Sequence, residues 1–328
     1  MVDVVVFGDI NADVLMSIPD YPASGSDALA SQVSLSQGGS AANSAVVLAK
    51  LGLQIGMIGR TGNDHWAQVA RAPLGDFGVD MRSVSTDQDT GTGLIFIPVT
   101  TSGERTLFSY RGANTRIKPE DIDPNLISSA HVLHLSGYNF LFSPQKETAW
   151  WAVETARENN TRLSLDSGEA PVYQAKSELQ RLLPMLDLLV LGEQEALLLS
   201  GVDSIDAALG SLLDLGVRVI GLKLGRAGCR LADQYQTITI PSFDVPSIDS
   251  TGAGDAFSAG LIYSYLNKFN LPAAGLFANA LGGLATTVWG GGSAFPSRVQ
   301  VIKFLKEQSV SFPLPNSSAA FKEILAAL

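Results

Sequence analysis

The stretch Asp249-Ser250-Thr251-Gly252-Ala253-Gly254-Asp255 sets a Gly-Ala-Gly run and a carboxylate against the start of an amphipathic helix. Downstream, Ala256, Phe257, Gly260, Leu261, Tyr263 and Leu266 recur at roughly helical spacing, so the loop ends where unpaired backbone N–H groups point outward. Those donors and the helix dipole favour an anion, and Gly252 and Gly254 let a ligand approach the backbone closely. Asp at such a position commonly does no more than cap a helix. A cap, however, does not call for Gly-Ala-Gly before it. The stretch reads as a phosphate cradle with a base, Asp255, beside it.

Working outward, the chain alternates buried strands with amphipathic helices, the pattern of an α/β fold with a mainly parallel sheet covered on both faces. The expected strands are Val2 to Phe7, Leu53 to Ile58, His131 to Leu135, Leu163 to Asp166, Leu188 to Leu191 and Val217 to Leu222. Helices are expected at Asn43 to Leu51, closed by Gly52, and at Lys146 to Glu158, followed by Asn159 and Asn160. Two segments break the alternation. Residues 13–36 and 92–111 read as extended pairs, the second turning at Ser102-Gly103-Glu104, and together they predict a small β lid over the C-terminal edge of the sheet. Ligands of open α/β sheets sit at that edge, where the turns carrying Asp13 and Asp255 should converge.

Composition narrows the function. A chain of 328 residues, 46% hydrophobic, can bury a large core, and the motifs argue for one domain over 1–328 rather than two smaller ones. No basic region follows Met1, so a signal peptide is not expected. The best apolar run, Leu182 to Leu199, is interrupted by Pro184, Asp187, Glu193 and Glu195, and no membrane helix is expected. The single cysteine, Cys229, cannot form an internal disulfide and fits a reducing compartment, the cytoplasm by default. A net charge of −10 with no offsetting Lys/Arg cluster argues against a nucleic-acid partner. No P-loop run occurs, and Gly8 stands alone after the first strand, so a P-loop enzyme and a nicotinamide-binding Rossmann enzyme are both disfavoured.

Asp249 to Gly260 resembles the C-terminal signature of the ribokinase-like (PfkB) carbohydrate kinases. Gly38-Gly39-Ser40-Ala41-Ala42-Asn43-Ser44-Ala45, through Leu51-Gly52, is similar to the N-terminal Gly-Gly signature of that family. Gly8-Asp9-Ile10-Asn11-Ala12-Asp13 resembles its sugar-contacting first turn, and Lys223-Leu224-Gly225-Arg226-Ala227-Gly228 its nucleotide loop. The resemblance runs to about Gln308, and the tail 309–328 matches no pattern. It implies a ribokinase-like, three-layer Rossmann-like fold and an ATP- and Mg²⁺-dependent phosphotransferase. Asp255 would be the general base, and the N–H groups of Gly252, Ala253 and Gly254 would hold the migrating phosphoryl group. Asn11, Asp13, Gly38, Gly39 and Asn43 would meet the sugar. Lys223, Gly225, Gly228 and Asn279 would serve the nucleotide, and Glu195 would organise Mg²⁺ through water. Gly192 stands where the family carries Asn in its Asn-x-x-Glu motif, a departure in the metal and phosphate network. Asp249 and Thr251 resemble the edge of a monovalent-cation site, implying K⁺.

Tyr110-Arg111 resembles the pair with which ketodeoxygluconate kinases meet a carboxylate, but the second Arg of those relatives has no counterpart in Asp166 to Pro171. Arg111 therefore stands either at the substrate or against an acid of the lid, and a neutral ribose- or fructose-like sugar is the expected substrate. A nucleoside, a sugar acid and, from a different class, a non-catalytic sugar-binding protein are the alternatives. The resemblance also implies a homodimer through the lid, presenting Val14, Leu15, Leu94 and Phe96. His131 and His134, three apart on a strand, should point to opposite faces and act in packing rather than share a metal.

Overall fold

The computed structural model describes residues 2–102, 104–310, 312–314 and 317–328. Short apolar runs set the frame. Val4 and Val6 enter one core cluster while Val5 and Phe7 enter another, and Leu188/Val190 and Leu189/Leu191 divide the same way. A strand buried on both faces needs such an unbroken apolar run.

The large sheet contains β1 (Val4–Phe7), β4 (Ile55–Gly62), β5 (Asp80–Asp87), β8 (Val132–Ser136), β9 (Arg162–Asp166), β10 (Leu188–Gly192), β11 (Val219–Lys223), β12 (Cys229–Asp233) and β13 (Thr237–Ile240), in the order β13-β12-β11-β10-β9-β8-β1-β4-β5. From β11 to β5 every pairing is parallel, and β12 and β13 close one edge antiparallel. The six strands expected from apolar runs are all present in this parallel block. β5, β12 and β13 were not anticipated. β5 and β13 lie at the two sheet edges and mix polar with apolar residues, and β12, buried at Cys229, Leu231 and Ala232, is interrupted by Arg230, so none of the three writes an unbroken apolar run.

The second sheet contains β2 (Asn11–Ile18), β3 (Gln32–Gly38), β6 (Gly93–Thr100) and β7 (Phe108–Tyr110) in the order β3-β2-β6-β7. This is the smaller sheet expected from residues 13–36 and 92–111; of the turn expected at Ser102-Gly103-Glu104, Gly103 lies outside the described residues. Registry pairs Asp13 with Ile95 and Leu15 with Ile97, which puts one set of alternating side chains over the main sheet. The opposite set includes Val33, Leu35, Phe96, Phe108 and Tyr110, all exposed. Val14 and Leu15, expected at a partner surface, are instead buried within the chain.

The helices Ser40–Lys50 and Gln145–Glu158 begin within a few residues of the expected positions, and Gly52 follows the first with φ +98. The tail forms a helix, Ser317–Ala327, that buries Phe321 and Ile324 in the core. Among the described residues no single helix is long and apolar enough to cross a membrane.

Candidate active site

The site gathers at the C-terminal ends of the parallel strands, beneath the lid. Gly252 caps the helix Ala253–Leu266 in a left-handed conformation, φ 75 and ψ 0. A Cβ there would stand 2.5 Å from the Phe295 ring, so glycine is required both by backbone and by space. The turn brings Asp255 into the first helical turn, where it meets the first turn of Ser40–Lys50. Asn43 Nδ2 donates to Asp255 Oδ2 at 2.8 Å, and Ser44 Oγ donates to the Asp255 carbonyl at 3.2 Å. Gly39, φ 93, opens that helix, and a Cβ on it would collide with the Asp9 carbonyl at 2.3 Å. Of the three N–H groups expected to face an anion, that of Ala253 turns back to the Ser250 carbonyl at 3.3 Å.

A cavity of about 210 Å³ opens in front of Asp255. Asn11, Asp13, Gly39, Asn43, Gly252 and Arg111, six positions expected at the site, line it. Gly38 does not. Its missing Cβ is the space taken by the Asp13 carboxylate, whose Oδ1 lies 1.7 Å from where that atom would be. Asp13 Oδ1 is buried with no hydrogen-bond partner among the described residues. Such an acceptor is costly unless a ligand hydroxyl supplies the proton.

Burial and crowding set the charges. Burial, then the Asp255 and Asp249 carboxylates, push Asp13 up to about 7. Burial pushes Asp255 up to about 6, against the hydrogen bonds of Asn43 and Ser40, with the Asp166 charge adding to the rise. A base poised near neutrality suits proton abstraction.

Arg111 makes a two-point ion pair with Asp9, Nε to Oδ2 at 2.7 Å and Nη2 to Oδ1 at 2.6 Å, and Nη2 also donates to Gln145 Oε1 at 2.8 Å. Its acid partner lies after β1, not in the lid. Its Nη1 is buried without a partner among the described residues. Arg105, which the sequence reading passed over, reaches from the lid to Thr251 Oγ1 at 2.9 Å and Asp249 Oδ1 at 3.4 Å.

On the other side of the anion cradle, Lys223 Nζ lies 3.1 and 3.2 Å from the two Asp166 oxygens, and Ser258 Oγ donates to Asp166 Oδ2 at 2.6 Å. Asp166 and Ser258 were also missed, although an apolar strand ending in Asp at the ligand edge is a usable signal. Gly225, φ 55, and Gly228, φ 98, shape the tight loop after β11. Asn279 spends its amide on the Ile240 and Pro241 carbonyls at 3.1 and 3.0 Å, tying its helix to the end of β13. Asp249 and Thr251, expected at a monovalent cation, are engaged with one another: Asp249 Oδ1 accepts from Thr251 N and Oγ1 at 2.9 and 2.8 Å, and Oδ2 accepts from Gly290 N at 2.9 Å.

Glu195 Oε2 accepts from Ser167 Oγ at 2.6 Å and from Gly192 N at 2.9 Å. Mg²⁺ is usually held by one or two carboxylates, water and substrate phosphates rather than by a protein cage. Glu195, in the first turn of the helix that follows β10, and Asp166, at the end of the neighbouring β9, are hard oxygen donors of that kind, and the residues fit the ion. His134 is buried, its Nδ1 3.0 Å from Ser164 Oγ, and burial holds it down to about 4. His131 is exposed and packs little.

A buried carboxylate with a raised pKa in the first turn of a helix, facing a small cavity lined by both polar and apolar side chains beneath the smaller sheet, fits a phosphotransferase acting on a hydroxyl group. The chain belongs to the pfkB family carbohydrate kinases, whose sequence pattern matches residues 1–298. It is 32% identical over 308 residues to the ATP-dependent ribose-1-phosphate kinase of Halopiger xanaduensis, covering 94% of this chain and 99% of that one. It is 26% identical over 306 residues to the ribokinase of Haemophilus influenzae, covering 92% and 97%. Arabidopsis thaliana ribokinase complexed with ribose and ATP shares 25% identity and a TM-score of 0.79, over 93% of this chain and 99% of that one. The protein is a sugar kinase.

Proposed function

We propose that the enzyme transfers the γ-phosphoryl group of ATP to a hydroxyl of a small ribose- or fructose-like sugar, with Mg²⁺ as the metal. The observation that carries this reading is the Asn43–Asp255 pair at 2.8 Å, facing the cavity beside the Gly252 turn. Asp13, Asn11 and Asn43 bind and orient the sugar hydroxyls. Asp255 accepts the proton of the hydroxyl that attacks. The hydroxyl oxygen bonds to the γ-phosphorus as the bond to the bridging oxygen breaks, and ADP leaves with that electron pair. Positioning and charge stabilisation do most of the work in such a transfer. When bound, Mg²⁺ neutralises phosphate charge, and Glu195 with Asp166 would hold it through water.

A second reading is favoured by Arg105 and Arg111 at the cavity and by the name of the Halopiger relative: the sugar already carries a phosphate at another carbon. An ATP-consumption screen over pentoses, hexoses, ribose 1-phosphate, sugar acids and nucleosides separates these. Turnover of none of them would overturn both.

The exposed apolar face of the lid, with Val33, Leu35, Phe96, Phe108 and Tyr110, supports a homodimer built through it. Sedimentation showing a monomer at every micromolar concentration would rule that out.

A further inference from the structure

The overall charge of −10 sets a problem that the helix start does not solve alone. The Lys223 ammonium faces the Asp166 carboxylate, its nitrogen 3.1 and 3.2 Å from the two oxygens. The Lys223 nitrogen also lies 3.6 Å from where a Cβ on Gly254 would stand, at the mouth of the anion cradle. It therefore stands between the Asp166 carboxylate and the start of the helix that carries Asp255. A phosphoryl group leaving ADP for a sugar oxygen bonded to Asp255 crosses that space.

We propose that Lys223 is a catalytic residue whose ammonium bonds to the non-bridging oxygens of the phosphoryl group in transit, with Asp166 and Ser258 positioning it. An ammonium has three N–H donors. The two Asp166 oxygens take at most two, at 3.1 and 3.2 Å, which leaves one for the transferred group. The Ser258 bond fixes the carboxylate and so the lysine's aim. The two-point ion pair with Asp166 holds the ammonium charged. Lys223 thus gives up no proton: the sugar's proton goes to Asp255, the new O–P bond forms, and ADP keeps the electrons of the old one. A preformed cation placed where charge gathers in the transition state costs no reorganisation during the step.

The inference rests on the kinase reading above and is tested on the best substrate found in the screen. Lys223→Met should lower kcat by about 10²- to 10³-fold, with the sugar KM nearly unchanged, because the lost contact is made in the transition state. Should the unpaired Asp166 unfold that variant, Lys223→Gln, whose amide can still donate to Asp166 but carries no charge, tests the same point. Rescue provides the reading that a structural lysine would not give. Lys223→Cys alkylated with 2-bromoethylamine restores an ammonium at the same reach, and kcat should recover at least about ten-fold over the unalkylated variant. The native Cys229 does not compete, since burial pushes its thiol up to about 12. A Lys223→Met enzyme within about threefold of wild-type kcat, or an alkylated protein, verified by mass, that gains nothing, overturns the assignment. Either result leaves the kinase reading standing; a wild type that turns over no sugar takes both down.

Discussion

Asn43 and Asp255, 212 positions apart, are joined by a 2.8 Å hydrogen bond between the first turns of two helices. The bond ties the Asp255 carboxylate, at the cavity, to the helix Ser40–Lys50. Asp255→Asn keeps the shape of the side chain but cannot take a proton, so kcat should fall by roughly 10²- to 10⁴-fold while sugar affinity changes far less. Asp13→Ala removes contacts made in ground and transition states alike and should mainly raise KM. Steady-state kinetics with calorimetric affinities for both variants decide it, and an Asp255→Asn enzyme with near-normal kcat would refute the base.

The same pair predicts a pH profile. Asp255 acts only when ionised and its pKa is raised to about 6, so kcat/KM should fall as pH drops through that value. The Asn43 bond favours the ionised form, so Asn43→Ala should move the acid limb to higher pH. A limb that stays in place in Asn43→Ala would show that another group is being titrated.

Stability should run against function here. Asp13 is raised from 3.8 to about 7 in the folded state, so the folded protein binds this proton more tightly than the unfolded chain does. Unfolding free energy is therefore lost as pH rises from about 4 through 7, by an amount on the order of a few kcal/mol. Asp13→Asn should raise Tm by several degrees at pH 8, with the gain shrinking toward pH 4, even as sugar binding is lost. A Tm difference that is the same at both pH values would rule out this linkage.

How much of this was legible beforehand follows from the kind of signal each part leaves. The central strands announce themselves because burial on both faces writes an unbroken apolar run, as in Val4 to Phe7 and Leu188 to Leu191. The loop at Gly252 is legible because a left-handed turn and a close ring contact both demand glycine. Arg105 and Ser258 left no such mark, and Asp166 left only its place at the end of an apolar strand. Each is an ordinary polar residue whose meaning depends on a partner 57 or more positions away: Thr251 for Arg105, and Lys223 and then Ser258 for Asp166. Spacing along the chain does not encode such pairs. Gly38 is an intermediate case, a glycine expected beside the sugar whose missing Cβ is the space taken by the Asp13 carboxylate.

The metal side can be probed at Gly192. A Cβ added there would stand 3.6 Å from Glu195 Oε1, an ordinary contact, so Gly192→Asn fits without displacing the carboxylate. Activity should be unchanged or higher. Glu195→Gln should require more Mg²⁺ for half-maximal rate, because a neutral amide holds a hard cation and its water shell more weakly. Superimposable Mg²⁺ titrations of wild type and Glu195→Gln would remove Glu195 from the metal.

Arg105 links the smaller sheet to the loop before the helix Ala253–Leu266, donating to Thr251 Oγ1 at 2.9 Å and standing 3.4 Å from Asp249 Oδ1. Its side chain is 33% exposed, and an ion pair so placed contributes about 0–1 kcal/mol to folding. Arg105→Ala should therefore leave Tm almost unchanged. Its effect should appear in turnover, since a lid that closes over substrate completes the site and excludes water, and a weakened closure changes kcat and KM together. We expect a loss of about ten-fold or more in kcat/KM, split between the two constants, together with faster proteolysis within the 92–111 hairpin when sugar is bound. Wild-type kinetics in Arg105→Ala would show that the contact is incidental. A fall in Tm of many degrees would show that it holds the fold rather than the lid.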